Sequence, residues 1–392
     1  MSQKSRGGGL IIRLLAAIAI GIILGLISPP GFMVFLQTVK YVLGQLIFFT
    51  IPLVIVGFIA PAITRLKADA SKMLGITVLI AYLSSVGAAA FSTIAGYAII
   101  PNLSFAEEMG ELREVPKTLM ELNIPPIFNV MTALALAIML GLAVVNTKSE
   151  NFNNILQELN NIVLDIVQKL VIPIFRYFIA TTFAGLAYEG TITKQFPVFI
   201  EIIILVLVGH FIWLAILYGI GGALSGKNPW NTLKHYGPAY MTAVGTMSSA
   251  ATLPMALDSI HKSDDIPRYI QDFVLPLCNT VHLCGSVLTE TFFVMAVSHM
   301  LYGKLPELGT MITFIILLGL FAVGAPGVPG GTVMASLGLI TGILGFDDTG
   351  VGLVLSIFAL QDSFGTACNV TGDGAIALMV TGIMKRKERK NN

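Results

Sequence analysis

The sequence predicts an all-α membrane protein with about eight transmembrane helices and two re-entrant helical hairpins. Hydrophobic residues make up 55% of the 392 residues and charged residues only 11%, whereas soluble domains carry about 25% charged residues. Apolar runs long enough to cross about 30 Å of hydrocarbon recur along the chain. Two later runs are interrupted by glycine and proline, which do not continue a helix. This composition argues against a cytosolic enzyme, and the net charge of +1 gives no field that would attract nucleic acid.

Six apolar runs in the first 236 residues are predicted to span the bilayer. They cover residues 10–27, 34–63, 73–100, 127–145, 155–187 and 196–224. The fifth run is the weakest prediction, because it contains Asp165, Lys169 and Arg176. The first run leads through Pro29-Pro30 into the second without a small-residue cleavage motif, which favours a retained span over a cleaved signal peptide.

The distribution of charge predicts the orientation. Basic residues lie before the first span, between the second and third, after the fourth and sixth, and at the C-terminal end: Lys4, Arg6, Arg13, Arg65, Lys67, Lys72, Lys148, Lys227, Lys234, Lys385, Arg386, Lys387, Arg389 and Lys390. The segment 101–126 is acidic by contrast, with Glu107, Glu108, Glu111, Glu114 and Glu121 against Arg113 and Lys117. The positive-inside rule then predicts cytoplasmic termini and an outer acidic loop in a cell (inner) membrane.

Two stretches, 241–254 and 322–336, place small and polar residues at membrane depth. Non-helical backbone survives at that depth only where it is buried in protein or lines a cavity. We therefore interpret both stretches as tips of re-entrant hairpins, each followed by a full span, 269–300 and 350–384. Glycines that merely allow close helix packing would not explain the prolines of the second stretch. The two units would have opposite orientation, and broken helices in such inverted repeats indicate a transporter binding site.

The last span carries a polar stripe. Asp362, Asn369 and Asp373 are spaced i, i+7 and i+11, which places Asn369 and Asp373 within about 20° of Asp362 around a helix, with Thr366 beside them. An intramembrane carboxylate is costly unless paired or hydrated. No lysine or arginine lies in this part of the span, so a bound Na⁺, a proton or a substrate ammonium is the expected partner.

The preceding span carries a second stripe, formed by Asn279, His282, Ser286 and Glu290. Because an ionised carboxylate in an apolar wall is costly, Glu290 is a candidate proton carrier. His282 is either a proton relay or a core histidine with satisfied hydrogen bonds. Cys284 beside it lacks the further ligands that a transition-metal site needs, and the oxygen-rich surroundings favour Na⁺-type coordination instead.

These motifs resemble a known family, the dicarboxylate/amino acid:cation symporters, which include the glutamate transporter homologues. Residues 248–254 resemble the family's serine-rich first-hairpin tip, and residues 327–331 resemble its second-hairpin tip. Residues 369–373 match its last-span motif letter for letter, and residues 276–286 lie where its seventh-span motif is expected. The sequence Leu-Gln-Asp-Ser at 360–363 looks like the serine/threonine sodium symporter branch.

The resemblance implies a homotrimer that works as an elevator, with a substrate site in each protomer. It implies N-terminal scaffold helices at 1–150 and a junction formed by the fifth and sixth spans at 151–236. The transport core would occupy 237–392. The resemblance also implies a substrate site at the hairpin tips and the last span: Ser248, Ser249, Gly327, Val328, Pro329, Asp362, Gly365, Thr366 and Asn369.

The ion sites implied by the resemblance are altered. Acidic-substrate members read Asn-Met-Asp-Gly-Thr where this chain has residues 282–286, so the aspartate that helps to hold one Na⁺ is Cys284 here. The resemblance implies a second Na⁺ at Asp373 with the carbonyls near Asn369 and His282. It implies a third at Thr280 with the carbonyls of the second-hairpin tip.

The substrate class that we expect depends on two arginines that this chain lacks. The positions at which acidic-substrate members carry a substrate-binding arginine are Gly365 and Met247 in this chain. A second carboxylate on the substrate needs the paired N–H donors of an arginine guanidinium. Asp362 remains for a substrate ammonium. We therefore expect a Na⁺-driven symporter of small neutral amino acids of the serine, threonine or alanine type. The alternative is a proton- or Na⁺-coupled symporter of dicarboxylates or acidic amino acids.

Other classes fit less well. A channel needs a continuous polar pore, which two re-entrant hairpins that turn back within the membrane do not form. His282 and Cys284 are at i, i+2 and point to different sides of a helix, so no nucleophile–base pair is indicated, and no phosphate-binding loop of the G-x-x-x-x-G-K-[ST] type occurs.

Overall fold

The computed structural model of the protein describes residues 6–68, 72–103, 113–120, 122, 124–325 and 330–391. These residues form helices and connecting segments without any β-strand, which confirms the all-α prediction. The α-helices are α1 (Arg6–Ile27), α2 (Pro30–Ala68), α3 (Lys72–Ile99), α4 (Val130–Thr147), α5 (Glu150–Ile166), α6 (Ile172–Glu189), α7 (Thr191–Ser225), α8 (Trp230–Leu233), α9 (Gly237–Thr246), α10 (Ser249–Ile260), α11 (Arg268–Val281), α12 (Cys284–Tyr302), α13 (Leu308–Gly324), α14 (Gly331–Gly342) and α15 (Asp348–Asn391).

The predicted spans coincide with helices. Within the described residues, five helical stretches are long and apolar enough to cross a membrane: Pro30–Thr64, Lys72–Asn102, Val198–Ser225, Arg268–Tyr302 and Asp348–Lys385. Shorter apolar helical segments are Ala16–Ile27, Thr132–Thr147, Leu308–Gly324 and Gly331–Gly342. The chain is thus a helical protein with several membrane-spanning helices, while the total of about eight spans and the orientation remain predictions. Four of the five glutamates of the predicted acidic loop lie outside the described residues.

The fifth predicted span has an irregular centre. Between α5 and α6, Val167–Val171 form a π-helical turn inside an otherwise continuous helix. Pro173 follows directly, and its missing N–H leaves the carbonyl four residues earlier without the usual partner, which favours local widening. Asp165 and Lys169 pair on its exposed side at 2.7 Å.

Close approaches between helices depend on glycine. A Cβ at Gly21 or Gly25 of α1 would lie 2.2 Å from the backbone oxygen of Ala180 or Ala184 in α6. Similarly, a Cβ at Gly382 of α15 would lie 2.3 Å from the backbone oxygen of Leu224 in α7. These pairs therefore pack backbone against backbone, as membrane helices do at small residues.

Two helical hairpins lie where the sequence predicted them. The first hairpin is α9 and α10, which pack on each other and on α15, with the chain reversing at Met247 and Ser248. The second hairpin is α13 and α14, which also pack on each other. Its tip residues 326–329 lie outside the described residues, so the predicted roles of Gly327, Val328 and Pro329 do as well.

The predicted span 269–300 is not one continuous helix. It is divided into α11 and α12 by an extended segment at His282 (φ −116°, ψ 103°) and Leu283 (φ −124°, ψ 41°). We call this segment the α11–α12 break. The sequence predicted one unbroken helix here, because neither His282 nor Leu283 is a glycine or a proline. α12 and α15 pack together, so the break faces the polar stripe of the last span.

The base of the first hairpin is held by polar contacts between loops. Asp265, before α11, accepts hydrogen bonds from Asn231 (3.0 Å) and pairs with Lys227 (3.1 Å). Partial burial favours a higher pKa for Asp265, but these hydrogen bonds and the nearby lysine outweigh it and lower its pKa below the ordinary value. The Asp265 carboxylate therefore stays ionised and links the two loops.

Candidate functional site

The reversal of the first hairpin and the start of α14 meet the last span at one small cavity, here called the central cavity. Its lining residues come from α6, both hairpins and α15: Ile172, Phe175, Met247, Gly330, Val333, Met334, Leu355, Phe358, Ala359 and Asp362. Asp362 is the single charged residue of this lining. The cavity therefore offers one carboxylate in an otherwise apolar wall.

Asp362 is held by the second hairpin. It is 4% exposed, and its Oδ2 accepts a hydrogen bond of 2.7 Å from the backbone N–H of Gly330. Gly330 has a positive φ of 72° and precedes the first turn of α14, whose N-terminal amides favour an anion. The hydrogen bond leaves the carboxylate further acceptor sites for a cationic ligand.

The two positions without arginine are both buried near this cavity. Met247 lies 2% exposed at the first-hairpin reversal and has a positive φ of 52°, a conformation that costs a non-glycine residue about 1 kcal/mol or more. Gly365 faces α12: a Cβ there would lie 3.4 Å from atoms of Ser286, an ordinary contact. A single Cβ at 365 would therefore be accommodated against α12.

Asn369 caps the second half of the broken span. Its Oδ1 accepts from the backbone N–H of Gly285 (2.7 Å) and Ser286 (3.2 Å), and its Nδ2 donates to Ser286 Oγ (2.9 Å). A side-chain acceptor at these amides satisfies donors that a helix start leaves free. The amide is thus engaged with α12 and supports the α11–α12 break.

His282 and Asp373 form a buried pair at the break. His282 Nδ1 lies 2.8 Å from Asp373 Oδ1, and His282 Nε2 lies 2.9 Å from the Oγ of Ser84 in α3. His282 and Asp373 are 0% and 1% exposed. Sequence analysis expected a bound Na⁺, a proton or a substrate ammonium as the partner of Asp373, whereas the structure places the imidazole of His282 there.

Glu290 lies deeper on α12 and contacts the second hairpin. It is fully buried, and its Oε1 accepts a hydrogen bond from Ser336 of α14. Its Oε2 is buried and has no hydrogen-bond partner among the described residues. An ionised carboxylate in that position is costly, so this geometry suits a protonated side chain.

The remaining predicted residues are distributed around these groups. Ser248 caps α10 by accepting from the N–H of Ala251 at 3.3 Å, and the carbonyl of buried Ser249 accepts from Asn279 Nδ2 at 2.8 Å. Thr366 is buried on α15. Thr280, by contrast, is exposed, and its hydroxyl donates to the Leu277 carbonyl at 2.8 Å.

Sequence analysis missed three partners of the predicted groups: the Gly330 N–H, Ser84 and Ser336. A backbone donor leaves no signal in sequence. Ser84 belongs to an adjacent serine pair inside an apolar run, which was an available signal. Among the described residues no cluster of three or more His, Cys, Asp or Glu side chains is placed to hold a metal.

These features define a class: an all-helical, multi-span membrane protein of the transporter type, with broken helices, a cavity lined by one buried carboxylate, and two further buried carboxylates on α12 and α15. Residues 10–383 match the family described as the sodium:dicarboxylate symporter family. The chain belongs to that family, which is a family of transporters.

Individual relatives are distant in sequence. Excitatory amino acid transporter 2 of Mus musculus is 27% identical over 289 residues, covering 71% of this chain and 49% of that protein. Excitatory amino acid transporter 1 of Homo sapiens is 26% identical over 305 residues, covering 75% and 54%. Excitatory amino acid transporter 2 of Homo sapiens is 29% identical over 233 residues, covering 57% and 40%. The chain thus spans about half the length of the relatives it matches.

Proposed function

We propose that this protein is a Na⁺-coupled symporter of small neutral amino acids. The observation that carries the proposal is the lining of the central cavity, in which Asp362 is the single charged residue. A neutral amino acid offers one ammonium for this carboxylate and a small side chain for the apolar wall. An acidic amino acid would bring a second carboxylate without an arginine to receive it.

The substrate carboxylate is expected to bind at helix N-termini. Ser249 begins α10 and Gly331 begins α14, and both helices start near the cavity. The free N–H groups and the positive ends of such half-helices favour an anion. Thr366 supplies a hydroxyl from the last span, while Asn369 acts indirectly by fixing α12.

The sodium dependence follows from the family and from the broken helices. Carbonyl oxygens released at a break are hard ligands of the kind that Na⁺ takes. We assign one Na⁺ to the region of Thr280 and the second-hairpin tip. Glu290, with its unpartnered Oε2, supports an additional proton step.

A second candidate function is symport of an acidic amino acid or dicarboxylate. The names of the relatives favour it, since they are excitatory amino acid transporters. The missing arginines at Met247 and Gly365 weigh against it. The proposal also includes the homotrimer, cytoplasmic termini and elevator movement of residues 237–392 against residues 1–150, with 151–236 as the junction.

The test is uptake of a panel of labelled amino acids into proteoliposomes under separate Na⁺ and proton gradients. We expect serine, threonine or alanine uptake to respond to the Na⁺ gradient. If aspartate or glutamate competes at a lower concentration than every neutral amino acid, the neutral-substrate proposal is wrong. If only a proton gradient drives uptake, sodium coupling is wrong.

A further inference from the structure

Asp373 carries the main departure of this chain from the expected ion sites. The resemblance implied a Na⁺ at Asp373 with the carbonyls near Asn369 and His282. In the structure, the carboxylate of Asp373 faces the side chain of His282 instead, at 2.8 Å. Among the described residues, no lysine or arginine lies within ion-pair distance of this carboxylate.

The imidazole ring bridges two oxygens that would otherwise face each other across the break. One nitrogen bonds Asp373 of α15 and the other bonds Ser84 of α3. A hard cation such as Na⁺ needs several converging oxygen ligands. Here Asp373 Oδ1 and Ser84 Oγ each contact a different nitrogen of the His282 ring, so both ring nitrogens have a hydrogen-bond partner.

The surrounding backbone is shaped to hold the ring. The Cβ of any larger residue at position 372 would lie 3.0 Å from His282 Cε1, so Gly372 is what lets the ring lie against α15. The ring is 0% exposed, and the extended backbone of the α11–α12 break places it there. A shorter amide side chain at 282 would leave the space between Asp373 and Ser84 unfilled.

We propose that the side chain of His282 replaces a coupled sodium ion at Asp373, so that Asp373 is not a sodium ligand in this protein. The inference rests on the proposed Na⁺-coupled symport, which it deepens. The protein then binds one sodium ion fewer per protomer than it would with asparagine at position 282. The sodium at Thr280 and the second-hairpin tip is unaffected.

The experiment measures equilibrium binding of radioactive Na⁺ to the full-length protein purified in detergent. The proteins are wild type, Asp373→Asn, His282→Asn and the double variant, each checked by thermal unfolding. We expect Asp373→Asn to leave the sodium affinity of the wild type within about threefold. We expect His282→Asn to bind one additional sodium ion, which the double variant loses.

His210→Asn is the matched control. His210 is likewise a buried histidine, and its Nε2 bonds the carbonyl of Gly285 (3.1 Å) and the hydroxyl of Thr289 (2.8 Å) rather than a carboxylate. It should gain no sodium. If it gains one, the gain at position 282 is not specific and the inference is overturned.

Two further results would overturn the inference. One is a loss of about tenfold or more in sodium affinity in Asp373→Asn relative to wild type. The other is a folded His282→Asn protein that binds no more sodium than wild type. If His282→Asn does not fold, His282→Gln replaces it; if neither folds, the comparison of wild type with Asp373→Asn decides alone. A wild type that binds no sodium at all would refute the proposed symport but not the inference, which the His282 variants still test.

Discussion

Replacing Asp362 by asparagine should weaken amino acid binding strongly. The carboxylate lies 4% exposed and is the one charge in the lining of the central cavity. Asparagine keeps an oxygen for the Gly330 N–H, so the hairpin contact is weakened rather than lost. Truncating one partner of a buried charge pair costs about 2–5 kcal/mol. That corresponds to affinity for alanine that is about 30- to 5,000-fold lower.

The assay is calorimetric or competition binding of alanine at saturating Na⁺, with Ser363→Ala as control. Ser363 is a buried neighbour on α15 outside the cavity lining, and its change should stay within about threefold. Lactate, which lacks the ammonium, separates the charge contact from a general disturbance. Wild type should prefer alanine over lactate, and Asp362→Asn should lose that preference. If the folded variant binds alanine within about threefold of wild type, Asp362 does not receive the ammonium.

Three other substitutions test the site and its frame. Gly365→Arg should shift competition in uptake toward aspartate, because a guanidinium would supply the cationic partner that a second substrate carboxylate needs; unchanged preference would contradict this. Glu290→Gln should flatten the pH dependence of uptake and keep substrate binding, since the amide needs no proton; a profile like that of wild type counts against proton coupling. Gly285→Ala places a Cβ 2.4 Å from Cys368 Cβ and 2.5 Å from the Gly365 oxygen, so it should destabilise by about 1–3 kcal/mol, seen as a lower Tm. Gly219→Ala, with nothing within 4 Å, is its control, and an equal loss of stability there would refute the packing argument.

The fold was predictable where it depends on the hydropathy of consecutive residues and on helix-breaking residues within the same segment. The six early runs coincide with helices, and the reversal at Met247-Ser248 falls inside the stretch that sequence analysis assigned to the first tip. Apolar length and polar interruption are properties of consecutive residues, so they are visible in one sequence. The π-helical turn at Val167–Val171 was not predicted, although Pro173 beside it was a signal for an irregular helix.

The α11–α12 break was not predictable from local pattern. His282 and Leu283 have no intrinsic tendency to end a helix as glycine or proline do. The break exists because partners elsewhere stabilise it. Asn369 caps the new helix start, and Asp373 and Ser84 hold the His282 ring. Tertiary contacts between α3, α12 and α15 therefore override helix propensity at this point.

Asp362 and Asp373 share one face of α15 but have different partners, and this difference separates their roles. They are eleven residues apart, about 16 Å along a helix axis, so one small ligand does not reach both. Asp362 bonds a backbone N–H at the tip of the second hairpin, a partner that changes whenever that tip moves. Asp373 bonds a side chain wedged between α3 and α15, a partner that stays while those helices remain packed. A carboxylate with an exchangeable partner suits a ligand that must bind and leave, whereas a carboxylate with a built-in partner suits a fixed part of the frame.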